Sequence, residues 1–289
     1  MSPNTRGALL MMGSMAAFTV NDAIVKLLGG SLPLFQIITL RGALTSVWVF
    51  LLARHLGALH LRFDHRDRVL VAMRCVSEIG ATFFFLTALM NMPLANVTAV
   101  LQALPLTVTL GAALIFGEPV GWRRMLAIGI GFCGMLLIVR PGPDGFTTHA
   151  IYALLAVTCV TARDLITRRM SSHVPSMVVT LATALTVTGL GLVGSLTVSW
   201  VPLDLQSGLL VFGASVFVLI GYLCSVMVMR VGEVGFIAPF RYTSLVWALG
   251  LGWLIFGNWP DPVTMLGAGL VVATGLFTLF RERSRRRGS

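Results

Sequence analysis

Five hydrophobic spans are written twice along the chain, and the odd number in each half forces the second copy to enter the membrane in the opposite sense. Ile115-Phe116-Gly117 returns as Ile255-Phe256-Gly257 at an offset of 140, which also pairs Met125 with Met265 and Gly129 with Gly269. Asp22 and Lys26 return as Asp164 and Arg168, and Pro33 as Pro175, at an offset of 142. A loop shorter by two residues in one copy accounts for the change. Repeats inverted about an axis in the membrane plane build alternating-access machines whose substrate site lies near the midplane.

Apolar residues fill 56% of the 289 positions and charged residues only 11%, so most stretches of about 20 residues are apolar enough to span hydrocarbon. The expected fold is an all-α polytopic membrane protein with ten transmembrane helices near 5–28, 33–54, 69–90, 94–117, 121–140, 148–169, 175–200, 207–229, 234–257 and 262–281. Residues 1–144 form the first five-helix repeat, and residues 145–289 the second, ending in a basic tail. The first span is kept as a helix of the mature protein, because it has a counterpart in the second half and lacks a small-residue cleavage site.

The net charge of +10 suggests nucleic acid until its placement is followed. Fifteen of the 21 basic residues fall in alternate loops and the tail on one side, around Arg62, Arg168, Arg230 and Arg281; only Lys26 and Arg140 fall on the other. The rest, Arg41, Arg74, Arg163 and Arg241, lie inside spans. This positive-inside bias predicts a multi-pass membrane protein with both termini cytoplasmic and Gly142 and Asp204 outside. The partners expected are lipids and a small-molecule substrate, with no nucleic acid, and the chain is a monomer or homodimer.

Cofactor and catalytic signals are absent, so no cofactor, no metal and no enzymatic activity are expected. Cys75, Cys133, Cys159 and Cys224 are scattered through spans without CxxC spacing. His55, His60, His65, His149 and His173 sit in loops or at span ends, so no histidine reaches the bilayer interior to serve a nucleophile. HExxH and P-loop patterns are missing. Gly129-Ile130-Gly131-Phe132-Cys133-Gly134 matches GxGxxG but lies mid-span; with Gly267, Gly269, Gly275, Gly250 and Gly252 it reads as close helix packing, within the chain or between chains.

An ionised side chain at a helix centre costs about 2.5–3.5 kcal/mol on insertion scales, so it faces a partner or water. Asp22 and Arg41 each lie roughly 9–12 Å inside the outer boundary, from the helical rise, and can pair. Asp164 and Arg241 match in depth near the inner boundary and can pair likewise. Two readings follow, static ion pairs or opposed outer and inner gates. Glu78 lies near the midplane, roughly 13 Å from the inner boundary, with Arg74 one turn below. It is either neutralised by Arg74 or free to take a proton or bind a cationic group.

Gln102 and Tyr242 correspond at the offset of 140, in the fourth and ninth spans. Pro105 and Pro239 nearby mark helix breaks, because each removes a backbone hydrogen bond that membrane helices forgo where a cavity or neighbour compensates. These two spans are the expected cavity walls. Phe18, Phe83 and Trp247 complete the candidate substrate-binding set with Glu78, Gln102 and Tyr242; Trp48, Tyr152 and Tyr222 are further aromatic candidates.

Across nearly its whole length the chain resembles the EamA-type branch of the drug/metabolite transporter superfamily. The resemblance is carried by Asn21-Asp22-Ala23, by Leu40-Arg41-Gly42 after the Pro33 helix start, and by Ile115-Phe116-Gly117-Glu118-Pro119. The second half departs from the last motif, reading Ile255-Phe256-Gly257-Asn258-Trp259-Pro260. The resemblance implies two inverted five-helix repeats and transport of metabolites. The expectation is therefore a secondary transporter of the bacterial inner membrane exporting a small polar metabolite, an amino acid, aromatic amino acids included. The alternatives are an importer of a metabolite or vitamin and, in another class, a passive channel, which the scarcity of intramembrane polar residues disfavours.

Overall fold

Proline and glycine set the limits of the repeated helices. The computed structural model describes residues 2–57, 64–117, 120–140, 147–171, 173–228 and 234–286. The first half contains α1 (Pro3–Leu28), α2 (Leu34–His55), α3 (His65–Asn91), α4 (Leu94–Leu101), α5 (Leu104–Phe116) and α6 (Trp122–Val139). The second contains α7 (Thr148–Arg168), α8 (Ser176–Ser195), α9 (Leu205–Val228), α10 (Val234–Ile237), a 3₁₀ turn (Ala238–Tyr242), α11 (Thr243–Phe256) and α12 (Pro262–Arg286). Pro33 and Pro175 occupy the N-caps of α2 and α8. Gly117 and Gly257 end α5 and α11 with left-handed φ of 66° and 64°, a conformation that costs glycine nothing. The repeated Ile-Phe-Gly thus encodes a helix stop.

Nine segments of the described residues are long and apolar enough to cross a membrane, counting α4 with α5 as one. The tenth, Val234–Phe256, is divided by its 3₁₀ turn. Three expected boundaries move most. The third helix begins at His65 rather than 69, α8 stops at Ser195 rather than 200, as the backbone turns towards Pro202 and Asp204, and α12 continues to Arg286 rather than 281. The expected positions His60, Arg62, Glu118, Pro119, Gly142 and Arg230 lie outside the described residues, as do the side chains of the tail from Arg281 onward.

The halves interlock instead of lying side by side. α1 packs on α9 and α3 on α7, while α2 packs on α8 and α6 on α12. Exchanging each helix for its counterpart maps this set of pairings onto itself, which is what a two-fold axis between the halves requires. Residues lying on such an axis touch their own counterparts. Ser46 Oγ lies 3.3 Å from Thr188 Oγ1, and Gln102 Nε2 donates to the Tyr242 carbonyl at 3.2 Å.

Lipid offers helices no hydrophobic drive to associate, so backbone proximity matters. A Cβ built on Gly134 of α6 would come 2.8 Å from the Gly267 carbonyl oxygen of α12. Gly131, Gly267 and Gly275 are similarly enclosed, in accord with close packing inside the chain. Gly129, Gly250 and Gly269 face open space and take no part in the close contacts within the chain. Leu114, Leu126, Val246 and Leu254 stand exposed on the outer surface, where an apolar solvent suits them.

Candidate functional site

Between the halves lies a cavity of about 320 Å³, walled by α1, α2 and α3 with α7, α8 and α9. Four acidic and basic side chains line it, two carboxyl groups (Asp22 and Glu78) and two guanidinium groups (Arg41 and Arg163). Phe18, Phe85 and Tyr222 add aromatic surface, with Phe18 edge-on to Tyr222 at 5.5 Å between ring centres.

The charges form two clusters built on equivalent positions. Asn21-Asp22 of α1 corresponds to Arg163-Asp164 of α7 at the offset of 142. In the second half, Arg163 lies 3.2 Å from Glu78 of α3 and 2.9 Å from Asp164. In the first, Arg41 Nη1 donates to Asn21 Oδ1 at 3.2 Å, and Asn21 Nδ2 donates to Asp22 Oδ1 at 2.9 Å. Asp22 and Arg41 therefore share one cavity, joined through the amide and not directly. Neither is locked to the other.

Arg74 does not neutralise Glu78. Its guanidinium crosses to the neighbouring helices, donating to Thr167 at 3.0 Å and to Thr183, while α7, packed along α3, supplies Arg163 to Glu78. Spacing along one helix suggested the wrong arginine. Arg163 escaped assignment because the matching residue in the first half is the neutral Asn21; its adjacency to Asp164 was the available signal. Asp164 and Arg241 form no ion pair, since Asp164 takes Arg163 instead. Arg241 sits in the 3₁₀ turn, where successive residues rotate by about 120° instead of about 100°, so its direction departs from the helical projection. The two meet only as walls of a separate cavity of about 220 Å³.

Gln102 and Tyr242 flank the two helix breaks. Pro105 lies in the first turn of α5 after the interruption at 102–103, and Pro239 lies within the 3₁₀ turn. Gln102 Nε2 donates to the Tyr242 carbonyl at 3.2 Å and to Ser244 Oγ at 3.0 Å, which ties one broken segment to the other. Both residues border a cavity of about 150 Å³ that shares Phe18, Asp22, Phe85, Leu101 and Leu104 with the central one. The Tyr242 hydroxyl is buried against Gly275 without a hydrogen-bond partner.

Two expected aromatic contributors fall outside these cavities. Phe83 joins Phe35, Phe84 and Tyr152 in a ring cluster, and Phe85, about 200° further around α3, faces the cavity in its place. Trp247 is 41% exposed on the outer surface, and Trp48 donates to Ser215 at 3.3 Å. Aromatic identity carried no phase information. Among the described residues no group of histidine, cysteine and carboxylate side chains could hold a metal ion.

At the end opposite the arginine-rich loops, Lys26 Nζ donates to the Leu89 and Met92 carbonyls at 2.8 and 2.6 Å and lies 5.6 Å from the Phe256 ring centre. One lysine thus fastens α1 to the ends of α3 and α11.

Relatives of known kind match the chain over most of its length. The chain is 28% identical over 235 residues to a riboflavin transporter of Rhizobium johnstonii, covering 79% of this chain and 74% of that one. It is 26% identical over 271 residues to the pseudopaline exporter CntI of Pseudomonas aeruginosa, with 92% and 93% covered. To an S-adenosylmethionine uptake transporter of Rickettsia conorii it is 25% identical over 272 residues, with 93% and 91% covered. A solved crystal structure superposes with a TM-score of 0.66 over 99% of both chains at 18% identity, a likeness of fold. The model of the EamA-like transporter family matches twice, over residues 5–140 and again over 147–280. Each half is thus one copy of that family's unit, and the chain belongs to the EamA-like transporter family, as a multi-pass membrane transporter of metabolites.

Proposed function

We propose that the chain moves an amphoteric metabolite of amino-acid size, bearing a carboxylate and an amine, by alternating access about the central cavity, in the export direction. The observation that carries this reading is the placement of Asp22 and Arg41, opposite charges in one cavity wall each bound to Asn21 and not to each other. A substrate with both charges can bridge them, its carboxylate on Arg41 and its amine on Asp22. A volume of about 320 Å³ falls in the range of roughly 300–1,000 Å³ typical of small-molecule sites, and Phe18, Phe85 and Tyr222 supply apolar surface for a side chain. Export is supported by the run of cavities from the centre towards the arginine-rich end, the side from which an exported substrate loads. The Lys26 fastening at the other end suits a carrier with one open side better than a pore.

A second reading, uptake of a ring-bearing vitamin or cofactor, is favoured by the aromatic wall together with the relatives named for riboflavin and S-adenosylmethionine. Counterflow into proteoliposomes separates the two. A panel of labelled amino acids and riboflavin is offered to vesicles preloaded with each unlabelled compound. The amphoteric reading expects exchange of an amino acid, weakened by about one to two orders of magnitude in Arg41→Gln, since a charge-assisted hydrogen bond contributes about 1.5–3 kcal/mol. Exchange of riboflavin alone, indifferent to Arg41→Gln, rejects it. Vesicles sorted by orientation then read the direction.

A further inference from the structure

The arginines inside the spans are satisfied unequally. Arg41 binds Asn21, Arg74 binds Thr167 and Thr183, and Arg163 binds Glu78 and Asp164. The Arg241 guanidinium makes no hydrogen bond or ion pair with any described residue. Both carboxylates that share a cavity wall with it are engaged elsewhere, Asp22 with Asn21 in the 150 Å³ cavity and Asp164 with Arg163 in the 220 Å³ one. An ionised group inside a bilayer needs a partner or water. The internal repeat shows that helix packing does not call for this charge, because Leu101, the counterpart of Arg241 at the offset of 140, borders the same 150 Å³ cavity.

The order of groups along the two connected cavities is defined by what they share. Asp22 borders both, Arg41 borders only the central one of the two, and Arg241 only the smaller. An amine held at Asp22 therefore has a guanidinium group to either side. Gln102 adds an acceptor in the smaller cavity. Its Nε2 donates to the Tyr242 carbonyl at 3.2 Å and to Ser244 at 3.0 Å. A backbone carbonyl can only accept, which fixes the nitrogen end of the amide and leaves Oε1 as an acceptor without a partner among the described residues. Phe18 and Phe85 border both cavities and flank the passage between them with apolar surface.

We infer that the smaller cavity is a specificity subsite for a second acidic group, so that the metabolite carried is a dicarboxylic amino acid. One carboxylate lies on Arg41, the amine between Asp22 and Gln102 Oε1, and the distal carboxylate on Arg241, whose planar donor fork matches it. The inference rests on the amphoteric reading of the central cavity. A volume of about 150 Å³, under half of the central 320 Å³, suits an acidic arm of a few heavy atoms, with its methylene groups between Phe18 and Phe85.

Counterflow with labelled glutamate and glutamine, alike in shape and different in distal charge, tests the subsite in proteoliposomes of the full-length chain. Wild type should half-saturate with glutamate at about tenfold lower concentration than with glutamine, the effect of one charge-assisted contact. Arg241→Gln should remove most of that preference and Arg241→Lys should keep part of it. Arg41→Gln, which meets the carboxylate common to both compounds, should weaken both and keep their ratio. Thermal unfolding in neutral detergent reads the same ratio without transport, and there the wild type alone decides if Arg241→Gln does not fold. Equal half-saturation of the wild type by glutamate and glutamine, or a preference that persists in Arg241→Gln, overturns the subsite and leaves the amphoteric reading standing. Glutarate, with both carboxylates and no amine, separates the two claims in the other direction. Glutarate exchange as strong as that of glutamate, indifferent to Asp22→Asn and weakened in both Arg41→Gln and Arg241→Gln, rejects the amphoteric reading and retains the acid subsite. Exchange of neither glutamate nor glutarate overturns the subsite outright.

Discussion

Arg163 holds two carboxylates at once, and its removal is therefore a different experiment from the removal of either acid. Glu78→Gln leaves Arg163 bound to Asp164, whereas Arg163→Gln leaves Glu78 and Asp164 without their shared cation inside the bundle. Stripping one member from a buried pair costs about 3–5 kcal/mol. Here the side chains keep 24% and 13% exposure towards the cavity, so a discounted cost of about 1–3 kcal/mol is expected for Arg163→Gln. Thermal unfolding should rank Arg163→Gln below Glu78→Gln, with the double variant recovering part of the loss. Equal melting of wild type and Arg163→Gln would show the pair to be energetically idle. Arg74→Met leaves the Glu78 pair intact. The depth of Glu78 was legible from helical rise, and so was its need for a partner. The partner's identity was not, because Glu78 and Arg163 meet through the packing of α3 on α7, 85 residues apart, a contact outside both helical spacing and the repeat.

Helices six and twelve approach each other through backbone, and this makes glycine substitutions selective. A side chain at Gly134 meets the Gly267 carbonyl and Leu270, whereas one at Gly129 meets nothing within 4 Å. Gly134→Val should thus lower stability by about 1–3 kcal/mol, the usual scale of overpacking, and Gly129→Val should be nearly silent. Equal losses in detergent-solubilised protein would contradict the close approach. Both glycines stand out equally in the sequence, and only the rotation of α6 about its axis, fixed by its neighbour, distinguishes them. The helix breaks were more readable, since proline marks them directly, but the 3₁₀ turn that redirects Arg241 was not. At the start of α12, Asp261 accepts from the Val263 and Thr264 amides at 3.0 Å each and pairs with Arg140. These hydrogen bonds, with the help of Arg140, hold its carboxyl below the usual 3.8. A depressed value means that the cap's contribution is present above the unfolded-state value and is lost as pH falls through the folded one. Wild type should therefore lose its margin over Asp261→Ala on acidification below about pH 4, read as converging melting temperatures; a margin unchanged at low pH would remove the cap from the account.

On the scale of the whole molecule, the two-fold relation between halves makes the two ends alternatives of each other, and the present conformation has chosen one. The correspondence of helices between the halves was legible as repetition in the sequence, and the inverted sense followed from an odd count of spans. Which end is fastened was not legible, because the fastening residue is a lysine whose counterpart is also basic. Lys26 joins α1 to the final carbonyls of α3 and to Phe256 of α11. If the opposite state opens between these elements, both hydrogen bonds must break on the way. Charge-assisted bonds of this kind contribute about 1.5–3 kcal/mol each, so Lys26→Gln, which keeps a donor but loses the charge, should move the balance towards the state open at that end by roughly tenfold. Thr45, in the central cavity wall, reports the change once the native cysteines are replaced. In right-side-out vesicles, Thr45→Cys should react with a membrane-impermeant thiol reagent about tenfold faster when combined with Lys26→Gln. Leu196→Cys, 87% exposed at the end of α8, serves as the reference for that side, and Leu56→Cys, 55% exposed at the end of α2, should react only in inverted vesicles. A Thr45→Cys rate indifferent to Lys26→Gln, with both reference sites behaving as stated, would mean that α1, α3 and α11 move together and that the gate lies elsewhere.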